Sequence, residues 1–418
     1  MVRGHRTILY RVSIFPRALL ALLCLVATGV GAQSPLSLAD ALARARASGP
    51  WRDLAGARGA LTRGLQRVES QLPNPVFEFR RERNTPQLRP DEFREIALPL
   101  DLTGRRVALV QAGRAAARRA AWDSAAVRLD VEHDVAEAWI AATLATAVAE
   151  AAAAQALALD SLAIFDAARF REGAVAEVAA LRTRVESDRA ALVAAAARGD
   201  AARARAALSV WVGGTVAATA PLDAAPLDRP PPLEALLTRA AATRPDARAA
   251  QEAATQAALR RTAERRGILS DIQLVGGLKT TAGIANTGLF GVVVPMPLFN
   301  QNGGNRDVAA AEARLASADA LALALRVEAE VRAAHEAWVA VAALGDAAVT
   351  LAPRADDVAG IARATYREGA STLTAVLEAQ RAAYDVRVAA AEGLAARLRA
   401  ALDLKAAVGL APLDPWSP

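Results

Sequence analysis

Several residue types are scarce in this 418-residue chain. It has one cysteine and three histidines, which excludes a disulfide scaffold and argues against a Cys/His metal site. Aromatic residues make up only 4% of the chain, and Lys279 and Lys405 are its only lysines. Alanine is abundant instead. This composition is typical of long helices that pack closely through small side chains rather than around a bulky core.

The net charge is concentrated at the N-terminus. The chain carries 50 Lys and Arg against 44 Asp and Glu, but four of the arginines lie in the first 32 residues, where no acid occurs. Without that segment, 46 basic and 44 acidic side chains remain. A nucleic-acid-binding surface requires a marked basic excess over the domain. Nucleic acid is therefore not expected as a partner.

The N-terminus predicts export. Basic residues precede an apolar run from Ala18 to Gly31, and Val30 and Ala32 supply the small residues of a cleavage site. This layout predicts a secretory signal peptide over residues 1–32, whose removal would also discard Cys24. The alternative is an N-terminal membrane anchor, but the apolar run is shorter than the roughly 20 residues that a spanning helix needs.

Beyond the signal, no uncharged stretch of 18 or more residues is apolar enough to predict a membrane-spanning helix. The best candidate, Ala138 to Phe165, is interrupted by Glu150 and Asp160. Any membrane contact of the mature chain is therefore expected through strands.

The two halves of the chain resemble each other. LADALARARASGP beginning at Leu38 matches LEALLTRAAATRP beginning at Leu233, and FREGA at Phe170 matches YREGA at Tyr366. Matched landmarks in one order predict two tandem copies of one unit, joined by a proline-rich linker. The predicted copies are residues 33–229 and 230–418.

Each copy predicts the same order of elements: two short helices, a β-hairpin and a long helical hairpin. The strands are predicted from period-two alternation, in which Phe77 and Phe79 point away from Glu78. At about 1.5 Å per residue, the roughly 65-residue arm before Gly173 would reach on the order of 100 Å. The fold class is thus mainly α with a small β portion. The β-hairpins are predicted at about 75–100 and 271–296, and the helical hairpins at about 105–198 and 306–409.

The long helices are expected to pack as coiled coils. Larger apolar residues recur four or seven positions apart in the second arm of each helical hairpin. The predicted seam residues are Leu181, Val185, Leu192, Leu377, Tyr384 and Val388.

Four strands per chain cannot close a membrane barrel, because single-chain barrels begin at about eight strands. Strands of about nine residues are long enough to cross an outer membrane when tilted. Since backbone groups in lipid must all be paired, several chains would have to share one barrel. The alternative is a pair of ordinary hairpins in a soluble domain.

A resemblance to a known family is carried by five features: LSLADALARARASGP from Leu36, QLPNPVFEF from Gln71, ALPLDLTGRR from Ala97, GVVVPMPLFNQNGGNR from Gly291, and the twin FREGA and YREGA segments. With them, nearly the whole mature chain resembles the TolC-type outer-membrane factors, the exit ducts of tripartite efflux pumps. It is most similar to the branch that serves heavy-metal cation efflux.

The resemblance implies a homotrimer in the outer-membrane lipid, with twelve strands in one shared β-barrel and the long helices in a periplasmic α-barrel. It implies two protein partners, a periplasmic adaptor and an inner-membrane transporter of the resistance-nodulation-division type. It implies no cofactor and no resident metal. The exported cargo is expected to be heavy-metal cations, with drugs or small organic molecules as the alternative.

In the family, the turns that follow the REGA-like segments form the periplasmic tip, where acidic rings narrow the pore and the adaptor docks. The resemblance therefore makes this region the candidate site, with the two glycines serving as helix ends. The candidate residues are Gly173, Glu177, Tyr366, Gly369 and Glu378.

Glu378 has two interpretations. Repeated by symmetry, it would form a carboxylate ring that favours cations; alternatively, it is a solvated helix residue paired with Arg381. Glu177 has the same two interpretations. Family members commonly carry an acid-Val-Leu-acid-Ala pattern at this place, whereas here Ala375 replaces the first acid.

An enzyme is not expected. The mature chain would have no cysteine, and its histidines, His133 and His335, lie within predicted helices beside acids. The GGLKTT segment from Gly276 lacks the spacing of a phosphate-binding loop. The remaining alternative is a soluble periplasmic coiled-coil adaptor or scaffold. The strand pair placed before each long helical region argues against an adaptor, in which one helical hairpin is inserted in a β-rich body.

Overall fold

A computed structural model describes residues 34–83, 89–222, 229–269, 272–281, 283 and 285–416. The predicted signal peptide and its cleavage site lie outside the described residues, as does part of the proline-rich linker. In the described ranges the chain forms eight α-helices, four strands and one 3-10 turn. The helices are α1 (Leu38–Ala47), α2 (Gly49–Ser70), α3 (Arg105–Arg171), α4 (Glu177–Val212), α5 (Leu233–Thr243), α6 (Pro245–Arg266), α7 (Gly303–Arg367) and α8 (Leu373–Val408). The strands are β1 (Val76–Glu82), β2 (Asp91–Leu100), β3 (Ile272–Thr281) and β4 (Ala285–Val293).

The order helix, helix, strand, strand, helix, helix occurs twice along the chain. The long helices α3 and α7 have 67 and 65 residues, and each is followed by a helix of 36 residues. At 1.5 Å per residue, α3 and α7 each extend about 100 Å. The mainly α fold with a small β portion is therefore confirmed.

All four strands belong to one antiparallel sheet, in the order β1, β2, β3, β4. The two hairpins of the sequence prediction are joined because β2 pairs with β3, which places Leu98 opposite Leu274. Neither β1 nor β4 has a second neighbouring strand among the described residues. The sheet therefore ends at two edges.

The helical layer next to the sheet repeats the strand order. Helix α3 packs against α2 and α6, and α6 packs against α3 and α7. Each of these helices is joined to one strand: α2 leads into β1, β2 leads into α3, α6 leads towards β3, and β4 leads into α7. The helix order α2, α3, α6, α7 therefore follows the order of the strands. Helix α2 and strand β1 therefore form one side of the chain, and α7 and β4 form the other.

The short helices α1 and α5 close the core at the middle of the long helices. Trp139 of α3 is fully buried near Leu42 of α1, and its indole Nε1 donates a hydrogen bond to the carbonyl of Leu36 at 2.8 Å. In the second copy, Leu236 of α5 packs with Val331 of α7. Burial of the apolar face of each short helix holds it against its own long helices.

The seam predicted for α4 is wrong. Leu181, Val185 and Leu192 are 57%, 64% and 73% exposed. The face that α4 buries is made of small side chains, which permit a close approach to α3. In the second copy Leu377 is buried, whereas Tyr384 and Val388 are only half-buried. The buried residues of α4 are Thr183, Ser187, Ala190, Ala194, Ala197, Ala201, Leu208 and Val212.

Helix α4 is also longer than predicted. The sequence prediction ended it near residue 198, but it continues through Gly199 to Val212. Gly199 lies in a run of alanine and arginine, which are strong helix formers and outweigh the cost of one glycine. Gly213, with φ of 68°, ends the helix in the left-handed conformation.

Helix α3 contains an 18-residue window of mean hydropathy 1.4, long and apolar enough by composition to cross a membrane, of which 33% is buried. Such a window can contain up to two charged residues, whereas the sequence expectation concerned uncharged stretches. Alanine raises the mean hydropathy of the window, and alanine is also the residue that favours helix and permits close helix packing.

Candidate functional site at the helical tip and the sheet

The turn between α3 and α4 is built around Gly173. This glycine has φ of 72°, and its N–H donates to the carbonyl of Phe170 at 2.9 Å. The N–H of Ala174 donates to the carbonyl of Arg169 at 2.8 Å. The two bonds form a Schellman motif, which satisfies carbonyl groups at the end of a helix and favours glycine at the left-handed position.

The turn between α7 and α8 has the same geometry. Gly369 has φ of 79°, and its N–H donates to the carbonyl of Tyr366 at 3.0 Å. The N–H of Ala370 donates to the carbonyl of Thr365 at 2.9 Å. The structure therefore places both predicted glycines at equivalent helix ends.

The helices that follow these turns begin differently. Thr372 caps α8 by accepting a hydrogen bond from the N–H of Ala375 at 3.3 Å. Ala176 occupies the same position before α4 and has no side chain that could do so. Glu177, the first residue of α4, is exposed, and its carboxylate lies where the helix dipole favours negative charge.

Glu378 is exposed on the second turn of α8. In the described part of the chain it makes no hydrogen bond or ion pair. Arg381 donates instead to the Glu186 carboxylate of α4, with an Nη2–Oε1 distance of 2.6 Å. The predicted pairing of Glu378 with Arg381 is thus absent, and the carboxylate of Glu378 remains open to solvent.

Tyr366 takes part in a buried contact that joins both copies. Its hydroxyl donates to Oδ1 of Asp166 at 2.8 Å, and the hydroxyl of Thr183 donates to Oδ2 of the same carboxylate at 2.6 Å. Asp166 is fully buried and Tyr366 is 5% exposed. The three residues come from α7, α3 and α4, so the contact ties the second helical hairpin to the first beside the tip.

Aromatic and cationic neighbours complete the surroundings of Tyr366. The Phe165 ring meets it edge-on, with centroids 6.3 Å apart, and the Arg169 guanidinium lies 5.7 Å from its centroid. Burial, together with the hydrogen bond to Asp166, raises the pKa of Tyr366 to about 12. The phenol therefore remains a donor over the physiological pH range.

Asp166 was not among the sequence candidates. Its signal is a carboxylate on an apolar helix face: Leu162 and Ala163, four and three residues earlier, are both buried. Helical spacing places these residues on one side of α3. An acid on such a face needs hydrogen-bond partners, which Tyr366 and Thr183 supply.

His133 lies far from the tip. Its Nε2 is 2.8 Å from Oδ1 of Asp403, so the pair connects α3 with α8. This hydrogen bond raises the pKa of His133. Within the described ranges, no group of three or more His, Cys, Asp and Glu side chains could hold a metal ion.

The sheet has one largely apolar face and one more polar face, and the ion-paired Arg81, Glu92 and Arg94 lie at the loop end of the apolar face. Phe77, Ile96, Gly276 and Phe290 stand opposite one another across the four strands, so they share a face. The large apolar side chains on this face are exposed, with Phe290 at 80%. They are Phe77, Phe79, Ile96, Leu98, Leu278, Phe290 and Val292.

The opposite face carries charged and polar residues. Glu78 lies opposite Glu95, and Gln273 and Lys279 follow the same alternation on β3. Lys279 pairs with the Asp91 carboxylate at 3.1 Å, with its Nζ 4.9 Å from the centre of the Phe93 ring. The predicted alternation is therefore clear in β1, β2 and β3, whereas β4 carries Leu289 and Val293 on this face.

No protein-family model matches the sequence, and no curated protein matches it. Solved structures do resemble it over most of its length. The outer membrane protein VceC of Vibrio cholerae gives a TM-score of 0.74 at 18% identity, covering 89% of this chain and 96% of that one. The open-state MtrE outer membrane channel of Neisseria gonorrhoeae gives 0.74 at 20% identity, covering 90% and 89%. CusC, whose crystal structures concern folding and transmembrane channel formation, gives a TM-score of 0.72 at 19% identity, covering 89% of this chain and 92% of that one.

At these identities the likeness concerns the fold. The chain has the fold of bacterial outer-membrane channels, with long helices and a small four-stranded sheet.

Proposed function

We propose that the chain is the outer-membrane component of a tripartite efflux pump. In this role it is a passive exit duct, localised in the outer membrane with its helices in the periplasm. It receives cargo from an inner-membrane transporter of the resistance-nodulation-division type through a periplasmic adaptor. The observation that carries the proposal is the amphipathic four-stranded sheet at one end of helices about 100 Å long.

The sheet suits a shared membrane barrel. Its apolar face is exposed in the single chain, which is costly in water but favourable against lipid. Its polar face then lines a water-filled lumen, as alternation in transmembrane barrels requires. Hydrocarbon supplies no partners for the free edges of β1 and β4, so other chains must pair with them.

The helices next to the sheet also support a closed ring of copies, in which each chain contacts the next in the same way. Helix α2 exposes Leu61, Leu65 and Val68 in one stripe, and α7 exposes Val308 and Leu315. These stripes lie on the two sides of the chain that also carry β1 and β4. A head-to-tail contact that pairs β1 with β4 of the next copy would therefore cover both stripes, and such contacts close into a ring. With three copies the barrel has twelve strands.

The tip then narrows the duct. In a trimer Glu378 occurs three times, and its exposed carboxylate, which has no partner among the described residues of its own chain, is available for a cation-favouring ring. Gly173 and Gly369 form the helix ends that make the tip, and Glu177 adds a second acid there. On this basis, and on the resemblance to the metal-efflux branch, the proposed cargo is heavy-metal cations.

The first experiment is expression of the full-length product with its signal, followed by membrane fractionation and electrophoresis with and without heating. A heat-resistant trimer in the outer-membrane fraction is the expected result. A monomer in the soluble periplasmic fraction would contradict the duct and favour the scaffold alternative.

A second experiment addresses the cargo. The purified protein is placed in planar bilayers, and the reversal potential under a salt gradient reports cation over anion permeability. Glu378→Gln is expected to lower that ratio, whereas Glu392→Gln, an exposed acid about 20 Å further along α8, is expected to leave it unchanged. Co-expression with a metal-exporting adaptor and transporter should raise resistance to the metal. Protection against drugs alone would contradict the metal assignment.

A further inference from the structure

Three of the four helical segments nearest the sheet carry an unusual concentration of arginine. Residues 56–70 of α2, 105–122 of α3 and 256–266 of α6 contain twelve arginines and two acids, Glu69 and Glu264. The fourth segment, residues 303–320 of α7, contains two arginines and three acids and does not share this charge. At 1.5 Å per residue, these arginines lie within about 20 Å of the strand ends along the helices. We call them the arginine collar. Its members are Arg58, Arg63, Arg67, Arg105, Arg106, Arg114, Arg118, Arg119, Arg260, Arg261, Arg265 and Arg266.

Helix dipoles do not account for the collar. Arg67 of α2 and Arg265 and Arg266 of α6 lie in last turns and complement the negative helix end. Arg105 and Arg106, however, lie in the first turn of α3, where cations are disfavoured, and the other members lie beyond the reach of either helix end. The charge of α3 also reverses sharply after the collar, because residues 123–150 contain six acids and one arginine. On α3, arginine is thus concentrated at the level nearest the sheet.

Part of this charge has no counterpart among the described residues. Arg118 pairs with Glu252 at 2.8 Å, and Arg105 pairs with Glu264 at 3.1 Å. By contrast, Arg63, Arg114 and Arg265 are exposed and make no hydrogen bond or ion pair with any described residue. One such arginine is present on each of the three helices, so the surplus charge is spread along the layer rather than held at one ion pair.

An apolar rim lies between the sheet and the collar. The connections from strands to helices expose large apolar side chains, and Phe299 is fully exposed. From sheet to helices the surface therefore changes from apolar strands to an apolar rim and then to arginine. A bilayer offers hydrocarbon, interface and phosphate in the same order. The exposed rim residues are Leu72, Leu102, Met296, Leu298 and Phe299.

We propose that the arginine collar binds the phosphate groups of anionic phospholipids in the membrane leaflet that faces the long helices. The guanidinium group suits this role because its planar fork donates two parallel hydrogen bonds to phosphate oxygens. The inference rests on the proposed function, since it requires the sheet to cross a membrane. It adds a lipid class and a binding level to that function.

The test compares two triple variants of the full-length oligomer purified in detergent. Arg63→Gln, Arg114→Gln and Arg265→Gln together remove the unpaired collar charges. Arg182→Gln, Arg189→Gln and Arg326→Gln remove three exposed arginines, without partners in the described chain, far from the sheet. Native mass spectrometry and thermal melting then report binding of phosphatidylglycerol and, separately, of phosphatidylcholine with the same acyl chains.

The wild type and the distant variant should bind phosphatidylglycerol more tightly than phosphatidylcholine. An arginine near an anionic surface contributes about fivefold in affinity, so loss of three per chain should weaken phosphatidylglycerol binding by about a hundredfold. Added salt should reduce the preference for phosphatidylglycerol in the wild type.

Three results would overturn the collar. The first is that the wild type retains both lipids equally, and the second is that the collar variant binds phosphatidylglycerol as tightly as the wild type does. The third is that the collar variant alters only the ion selectivity of the channel in planar bilayers. The last would show that the arginines line the duct. A soluble monomer would overturn the duct and the collar together, whereas a working channel without lipid preference would overturn the collar alone.

Discussion

The two turns at the helical tip share a backbone and differ in what surrounds it. Gly173 and Gly369 end their helices with the same pair of hydrogen bonds. Yet the residue three positions before the glycine is Phe170 in the first copy, 42% exposed, and Tyr366 in the second, 5% exposed. The repeat therefore sets the shape of the turn, while its burial depends on which copy the turn belongs to.

The difference arises from residues present in only one copy. With the offset of 196 that aligns Gly173 with Gly369, Asp166 corresponds to Ala362 and Thr183 to Ala379. The first copy thus supplies the buried acceptor and one donor, and the second supplies the tyrosine. A polar contact that links two copies arises when their sequences diverge at facing positions.

The largest expected effect follows from making the first copy like the second. Asp166→Ala leaves the buried Tyr366 hydroxyl without its acceptor and opens a small void. We expect a loss of about 3 kcal/mol in the apparent free energy of unfolding, measured by thermal loss of helical circular dichroism. The control Asp160→Ala, at a half-exposed acid on the same helix that lies 4.0 Å from the Arg184 guanidinium, should cost less than about 0.5 kcal/mol.

The contribution of Tyr366 to stability can be separated from others by measuring unfolding as a function of pH. The folded state holds the Tyr366 proton up to about pH 12, whereas an unfolded tyrosine loses it near pH 10. Stability from this group is thus fully present below pH 10 and falls as pH rises towards 12, by about 2 kcal/mol. Tyr366→Phe should flatten this part of the profile, and Tyr384→Phe should not. Equal profiles for both variants would contradict the assignment.

Substitution of the two glycines tests whether the turns are equivalent. Gly173→Ala and Gly369→Ala each place a side chain at positive φ, with no atom within 4 Å of the new Cβ. Both should cost about 1 kcal/mol, since backbone strain is the only penalty. Gly199→Ala, inside α4 and equally free of contacts, should instead stabilise the helix. Clearly unequal costs at the two turns would show that they are not equivalent.

The smallest effect concerns the helix caps, which can be exchanged between copies. Thr372→Ala removes the hydrogen bond to Ala375 and should cost about 0.5 kcal/mol, at the low end for caps because the bond is long at 3.3 Å. Ala176→Thr should gain a similar amount, because the backbone there is already extended with φ of −69° and ψ of 148°. Thermal melting of both variants measures the two changes in stability. A loss on both would show that the first turn does not accept a cap.

Local patterns in the sequence were sufficient for the elements and their order. Alternation around Phe77 predicted the strands, and the glycine of each REGA segment marked the ends of α3 and α7. One failed prediction concerns the end of α4, which lies at Val212 rather than near residue 198, and the others concern packing. Leu181 was assigned to a seam by its spacing, but spacing does not tell which of two apolar faces meets a neighbour, and α4 buries its alanines instead.

What the sequence by itself determined is the helical and strand content, the lengths of the long helices, the left-handed turns and the amphipathic strands. These follow from propensities and periodicities that act within about ten residues. Only the tertiary structure decided that β2 pairs with β3 and that Tyr366 finds Asp166, 200 residues earlier. Such pairings depend on which faces the folded helices and strands bring together, and no local pattern records that.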